Sequence, residues 1–261
     1  MPATDLSLLV QAVRAAGEVA RTFSGPEAKV WQKPGDAGPV TEADLAVNDT
    51  LRSCLQGARP GYGWLSEETE DNAERLAHDT VFIVDPIDGT RAFISGGRTW
   101  AHVVAVAHKG EVTAGAIYLP LRDKLYAAAK GQGATINGAP ICVGTRGDPD
   151  GATVLTSKSG LAERHWRSAP PDLQLSFRPS LAYRLCLVAE GRFDAMLSLR
   201  RTWEWDIAAG EIVLREAGAI TTDRLGQPLT FNAPSPEFKS VVSANPALHG
   251  ALIRALKPDP R

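Results

Sequence analysis

The stretch VFIVDPIDGTRAF, residues 81–93, starts as a core strand and ends in an acidic, glycine-broken turn. The apolar run Val81, Phe82, Ile83 and Val84 has the length and β-branched character of a buried strand. It delivers Asp85 and Asp88 to its end. Two carboxylates gathered there repel each other, so folding alone supplies no reason to bring them together, whereas a cation between them does. Pro86 holds Asp85 extended, Gly89 permits a backbone path closed to residues with a side chain, and residues 90–94 can start a helix. That geometry presents the amides of Gly89 and Thr90 as an anion site beside two carboxylates suited to hard cations. A plain turn with Asp88 as helix N-cap accounts for Asp88 and Gly89 and leaves Asp85 without a role.

Two further acidic clusters lie on either side. GWLSEET, residues 63–69, reads as the end of a short strand at Trp64 and Leu65 followed by Glu67 and Glu68. WEWDIAAG, residues 203–210, places Asp206 at the start of a helix, with Ala208, Ala209 and Gly210 leaving room for close packing. Each cluster alone has an ordinary explanation, a solvated loop or an N-cap.

Around these clusters the chain reads as a mixed α and β protein. Apolar residues at helical spacing from Leu6 to Phe23, with Thr4 or Asp5 as cap, predict an amphipathic helix. The turn-prone KPGDAGP, residues 33–39, precedes a second helix with Val47, Leu51, Cys54, Leu55 and Ala58 on one face and delivers Thr41, Glu42 and Asp44. Strand-like runs at residues 103–107, 112–118 and 125–128, with turns at Lys109-Gly110 and Asn137-Gly138, predict an antiparallel sheet. Beyond residue 143 the pattern changes to alternating strands and helices. It contains strands at residues 153–156, 173–177 and 193–199, and helices at 161–168, 181–191, 207–218 and 246–256. A subdomain boundary therefore falls near Val143.

The chain has 261 residues, 44% apolar and 22% charged, enough for one large core or two packed subdomains. A net charge of -2 and a pI near 6.2 give no basic surface for a nucleic-acid polymer. Cys54, Cys142 and Cys186 lack metal-ligand spacing and read as reduced core thiols. No signal-like N-terminus and no apolar run of the ~20 residues that cross a bilayer are present, so a cytoplasmic protein that leaves membranes alone is expected. The five histidines form no metal-spaced pair, and none is needed for catalysis.

SEE at residues 66–68, DPIDGT at 85–90 and WDIAAG at 205–210, in this order, resemble the inositol monophosphatase superfamily of magnesium-dependent phosphomonoesterases. VTEAD at 40–44, GQGATING at 131–138 and CLVAEG at 186–191 extend the resemblance over nearly the whole chain. It implies an α+β fold, a two-subdomain αβαβα layered sandwich with the site between halves. Residues 1–143 would carry most ligands, and residues 144–261 would carry Asp206 and the specificity residues. It further implies that Glu67, Asp85 and the Ile87 carbonyl hold a first magnesium, and that Asp85, Asp88 and Asp206 hold a second. Glu67 would reach a third, Asp44 and Thr90 would orient the attacking water, and the Gly89 and Thr90 amides would cradle phosphate. Many members of the superfamily are dimers, which makes a homodimer the assembly to test.

For the substrate, a small phosphorylated metabolite, the resemblance leans to the 3'(2'),5'-bisphosphate nucleotidase branch. Leu199 stands seven positions before Asp206, where inositol monophosphatases carry an acidic residue, and Arg200 and Arg201 follow it. RLCLVAEG, residues 184–191, sets Arg184 where nucleotidases have lysine, TSKSG at 156–160 sets Lys158 in a related position, and Arg91 follows DGT. Arg184, Lys158, Arg201 and Arg91 are thus the expected substrate contacts, and 3'-phosphoadenosine 5'-phosphate the expected substrate. Inositol 1-phosphate and histidinol phosphate are the alternatives, and a non-catalytic phosphate-sensing module a third. Haloacid-dehalogenase phosphatases also end a strand in an acidic turn, but with one residue between the aspartates and no use for SEE or WDIAAG.

Overall fold

The computed structural model describes residues 4–23, 25–36 and 38–258; Ala37 of the turn-prone segment lies outside them. Helix α1 (Asp5–Ala20) starts at Thr4, whose side chain accepts the Ser7 N–H. Helix α2 (Glu42–Ala58) starts at a capping box in which Thr41 and Asp44 satisfy each other's backbone amides. Both lie on one face of a seven-stranded sheet. Its order is Gly63–Ser66, Thr80–Asp88, Ala101–His108, Glu111–Leu119, Lys124–Ala129, Ala134–Ile136 and Ala139–Ile141. The first pair is parallel and the rest antiparallel. Tight turns at Lys109-Gly110 and Asn137-Gly138 run through positive φ, as two-residue hairpins require.

The alternation of strand side chains sorts the core into layers. Phe82, Val84, Val104 and Val106 pack against α1 and α2, while Ile83, Val103 and Ala105 face the opposite layer. That layer holds helices α4 (Leu181–Ala189) and α5 (Glu204–Glu216). These two helices cross so closely that a Cβ at Gly210 would collide with Leu185. Beneath them lies a five-stranded sheet ordered Gln174–Ser176, Thr153–Leu155, Ala195–Ser198, Val241–Ala244, Ile220–Thr222. Its Leu155, Met196 and Val241 face α4 and α5, and its Val154, Leu197 and Val242 face helix α6 (Pro246–Ala255). The result is five layers, α, β, α, β, α, as expected. The short helix α3 (Thr90–Ile94) sits at the end of the strand Thr80–Asp88.

Three expectations change. Residues 161–168 form no α-helix: they contribute to two short 3-10 turns, Lys158–Leu161 and Glu163–His165, after which Trp166 bridges to Leu256. Flanked by Gly160 and the Pro170-Pro171 pair, the segment is too short to repay helix nucleation. Asp206 is the third residue of α5 rather than its N-cap. Only Cys186 is a core thiol; Cys54 and Cys142 are exposed. The buried stripe of α2 runs through Ala43, Val47, Leu51 and Leu55, which turns Cys54 to solvent. Among the described residues, no helix is long and apolar enough to cross a membrane.

Candidate active site

Asp85 and Asp88 are three apart, and in a regular strand they would point to opposite faces. Here the pairing runs to Asp85 opposite Val103 and resumes at Asp88 opposite Ala101, so Pro86 and Ile87 together face His102 alone. The extra residue of this bulge turns both carboxylates onto one side. Asp206 meets them from α5, and each of the three offers an oxygen within 4.8 Å of the others. Asp85 and Asp88 are buried, and Asp85 Oδ1 has no hydrogen-bond partner. Burial, then the charges of Glu67, Asp88 and Asp206, push the Asp85 carboxyl well above the usual range. Burial and Asp88 push Asp206 up to about 8. A partnerless buried oxygen among mutually repelling carboxylates fits a divalent cation, the hard ion that oxygen donors select.

The other expected residues gather around this cluster. Glu67 lines the same cleft of about 520 Å³, but its Oε1 is held by Lys33 Nζ at 2.8 Å, and the same ammonium lies 2.6 Å from Glu68 Oε1. The Ile87 carbonyl accepts from Thr90 Oγ1 at 3.1 Å, and Thr90 Oγ1 also stands 3.3 Å from Asp44 Oδ1. Asp44 is buried, and its Oδ2 is taken by the Thr41 N–H at 2.8 Å and the Thr41 hydroxyl at 2.5 Å. Gly89 lines the cleft with φ 99°, and a Cβ there would lie 3.2 Å from the Thr99 carbonyl, so the tight path needs glycine. Gly89 is also the N-cap of α3. Asp88 instead caps α4: it accepts the Ser180 hydroxyl at 2.6 Å, the Ala182 N–H at 2.7 Å and the Leu181 N–H at 3.1 Å.

The expected substrate contacts divide. Arg91 lines the metal cleft. Arg184 lines a second cavity of about 300 Å³ together with Arg164, Arg200, Ser157, Ser159 and Leu199, with no carboxylate among its lining residues. Phe177 belongs to both cavities, so they adjoin. Arg184 is buried, its Nε donates to the Arg178 carbonyl at 2.5 Å, and its guanidinium lies 4.2 Å from the Phe177 ring centre. Burial pulls its pKa down to about 10. Lys158 is exposed and does not line this cavity. Arg201 is exposed and pairs with Glu237 at 3.0 Å. The geometry therefore brings Arg164 and Arg200 to Arg184 in place of Lys158 and Arg201.

Sequence reasoning passes over Lys33, Ser180, Arg164 and His102. Ser180 does carry a signal, a serine directly before the apolar helix that it caps through the Tyr183 N–H. Its partner Asp88 is 92 residues away and leaves no local mark.

Comparison with known proteins gives the family and the fold. The sequence profile of the Inositol monophosphatase family matches residues 2–260. An inositol-1-monophosphatase of Rhizobium meliloti is 34% identical over 85% of this chain and 86% of its own. The Nus factor SuhB of Escherichia coli is 30% identical over 85% of each chain. The crystal structure of the extragenic suppressor protein suhB from Bartonella henselae superposes with a TM-score of 0.80 at 30% identity, covering 96% of this chain and 97% of that one. The chain belongs to the inositol monophosphatase family and is a phosphatase of that family acting on small phosphorylated substrates. These relatives carry the names of inositol monophosphatases and SuhB proteins, not of bisphosphate nucleotidases.

Proposed function

We propose that the cleft hydrolyses a phosphomonoester with water oriented by Thr90 and Asp44, over magnesium ions held by Glu67, Asp85, the Ile87 carbonyl, Asp88 and Asp206. The observation that carries this reading is the buried, partnerless Oδ1 of Asp85 in a cluster of three carboxylates. When bound, two or three magnesium ions would neutralise phosphate oxygens, lower the pKa of water and stabilise the departing alkoxide. The chain's own residues do the rest. Thr41 saturates Asp44 Oδ2, which leaves Oδ1 as the acceptor facing Thr90. Thr90 Oγ1 takes the proton of the attacking water as its own proton passes to Asp44 Oδ1. The Gly89 and Thr90 amides border the space the phosphate would fill.

For the substrate, inositol 1-phosphate is the reading supported by the relatives, the Rhizobium enzyme above all. A nucleoside 3',5'-bisphosphate such as 3'-phosphoadenosine 5'-phosphate is the second reading, supported by the cavity that Arg164, Arg184 and Arg200 line beside the cleft. Values of kcat/KM for inositol 1-phosphate, 3'-phosphoadenosine 5'-phosphate and histidinol phosphate under matched magnesium decide between them. Preference for the bisphosphate removes the first reading, and no turnover of any ester with Mn²⁺ binding intact replaces hydrolysis by phosphate sensing.

A further inference from the structure

The bulge that aims Asp85 and Asp88 leaves Pro86 and Ile87 opposite one residue, His102. An extra residue falls outside the pairing of the ladder, and a buried carbonyl left without a donor is destabilising. His102 is fully buried, and its Nδ1 lies 2.5 Å from the Pro86 carbonyl oxygen. A carbonyl only accepts, so Nδ1 carries the proton and, in the neutral ring, Nε2 keeps a lone pair. That Nε2 is buried with no partner. The ring of Trp100 packs edge-on against the imidazole at 5.5 Å and limits its rotation. An apolar side chain would fill this place without stranding a polar atom, so packing alone does not account for histidine. The contact to Pro86 does.

We infer that His102 is a positioning residue of the metal centre: by holding the Pro86 carbonyl away from the cleft, it fixes the bulge that turns Asp85 and the Ile87 carbonyl toward it. Asp85 and Ile87 line the cleft and Pro86 does not, in keeping with a peptide plane held from behind. The inference rests on the reading of Asp85 and Ile87 as ligands, and supporting groups of this kind typically change metal affinity 10- to 100-fold.

The test uses the full chain and Mn²⁺ as probe. In wild-type protein, long-range proton–nitrogen correlation of the imidazole should show the tautomer protonated at Nδ1; an Nε2-protonated ring overturns the inference whatever the variants do. By titration calorimetry, His102→Leu should weaken Mn²⁺ binding by roughly 10- to 100-fold. His102→Asn, whose amide can donate from near the Nδ1 position, should bind close to wild type. Without metal, hydrogen exchange at the amides of residues 87–90 should quicken in the Leu variant and not in the Asn variant. Leu binding that equals wild type, or Asn binding as weak as Leu, overturns the inference. Should His102→Leu fail to fold, the Asn variant and the wild-type tautomer decide. Wild-type protein that binds no Mn²⁺ at all removes the metal reading itself, a different outcome from variants that bind as well as wild type.

Discussion

Ser180 Oγ donates to Asp88 Oδ2 at 2.6 Å, and through this contact a carboxylate at the end of a strand in the first half of the chain becomes part of the helix cap in the second. Asp88 therefore serves two ends at once. Its charge belongs to the cation cluster, while its oxygens satisfy amides at the start of α4 that would otherwise be buried without acceptors.

Asp88 and Asp85 should respond to mutation in opposite ways in metal-free protein. Asp88→Ala removes the acceptor for two amides and a hydroxyl and should cost about 1–3 kcal/mol in urea denaturation with chelator present. Asp85→Asn replaces a carboxyl that burial and neighbouring charges hold far above its usual range, so stability should stay level or rise. Both should lose turnover by orders of magnitude. Equal destabilisation by the two would mean that Asp85 has a folding role invisible in its contacts.

Thr90→Ala should lower kcat far more than it weakens the binding of inorganic phosphate, because the backbone amide proposed to contact phosphate survives the change. Thr90→Ser, which keeps the hydroxyl 3.3 Å from Asp44 Oδ1, should restore most of the rate. Retained kcat with lost affinity would make Thr90 a binding group instead.

The arginine cavity makes a graded prediction. Arg200→Gln should raise KM for 3'-phosphoadenosine 5'-phosphate by roughly 10- to 150-fold, the equivalent of one charge-assisted hydrogen bond, and leave adenosine 2'-monophosphate nearly unchanged. Arg184→Ala should harm both substrates, since Arg184 Nε also props the Arg178 carbonyl beside the loop that leads to Ser180. Identical losses for the two esters in Arg200→Gln would mark that residue as structural.

Glu211 lies on α5 five residues beyond Asp206, buried, with Oε2 unpartnered and its pKa pushed up to about 7 by burial. Because the folded value is raised, its favourable contribution is complete below the ordinary glutamate pKa near 4.5 and is lost as pH rises through 7. Glu211→Gln should leave the thermal midpoint unchanged at pH 5 and raise it by roughly 2–4 °C at pH 8.5. A shift of equal size at both pH values would show that the effect is packing rather than ionisation.

Much of this centre was legible because its signals are local. A valine-rich run ending in DPIDGT announces a strand, a turn and a charge problem together, and the spacing of Val47, Leu51 and Leu55 gives α2. The bulge is harder to see: nothing in PI at residues 86–87 says that two residues will face one, and that single offset decides which way Asp88 points. Cys54 falls outside the buried stripe because one step around a helix separates that stripe from solvent. Arg164 could not be chosen over Lys158, since the segment between them folds as 3-10 turns whose direction its sequence does not encode.

The distance along the chain between Asp88 and Ser180 has a consequence for synthesis. The seven-stranded sheet is fully translated once residue 141 has left the ribosome, yet the helices that cover its second face begin at Leu181 and Glu204. At ordinary translation rates that interval lasts seconds. Throughout it, the residues that cover Ile83, Val103 and Ala105 in the finished fold are still unmade, and the acidic rim has neither its helix nor its third carboxylate. The N-terminal half made alone thus lacks both Ser180, which holds Asp88, and Asp206, so the group of three carboxylates assembles only after residue 206 has been added.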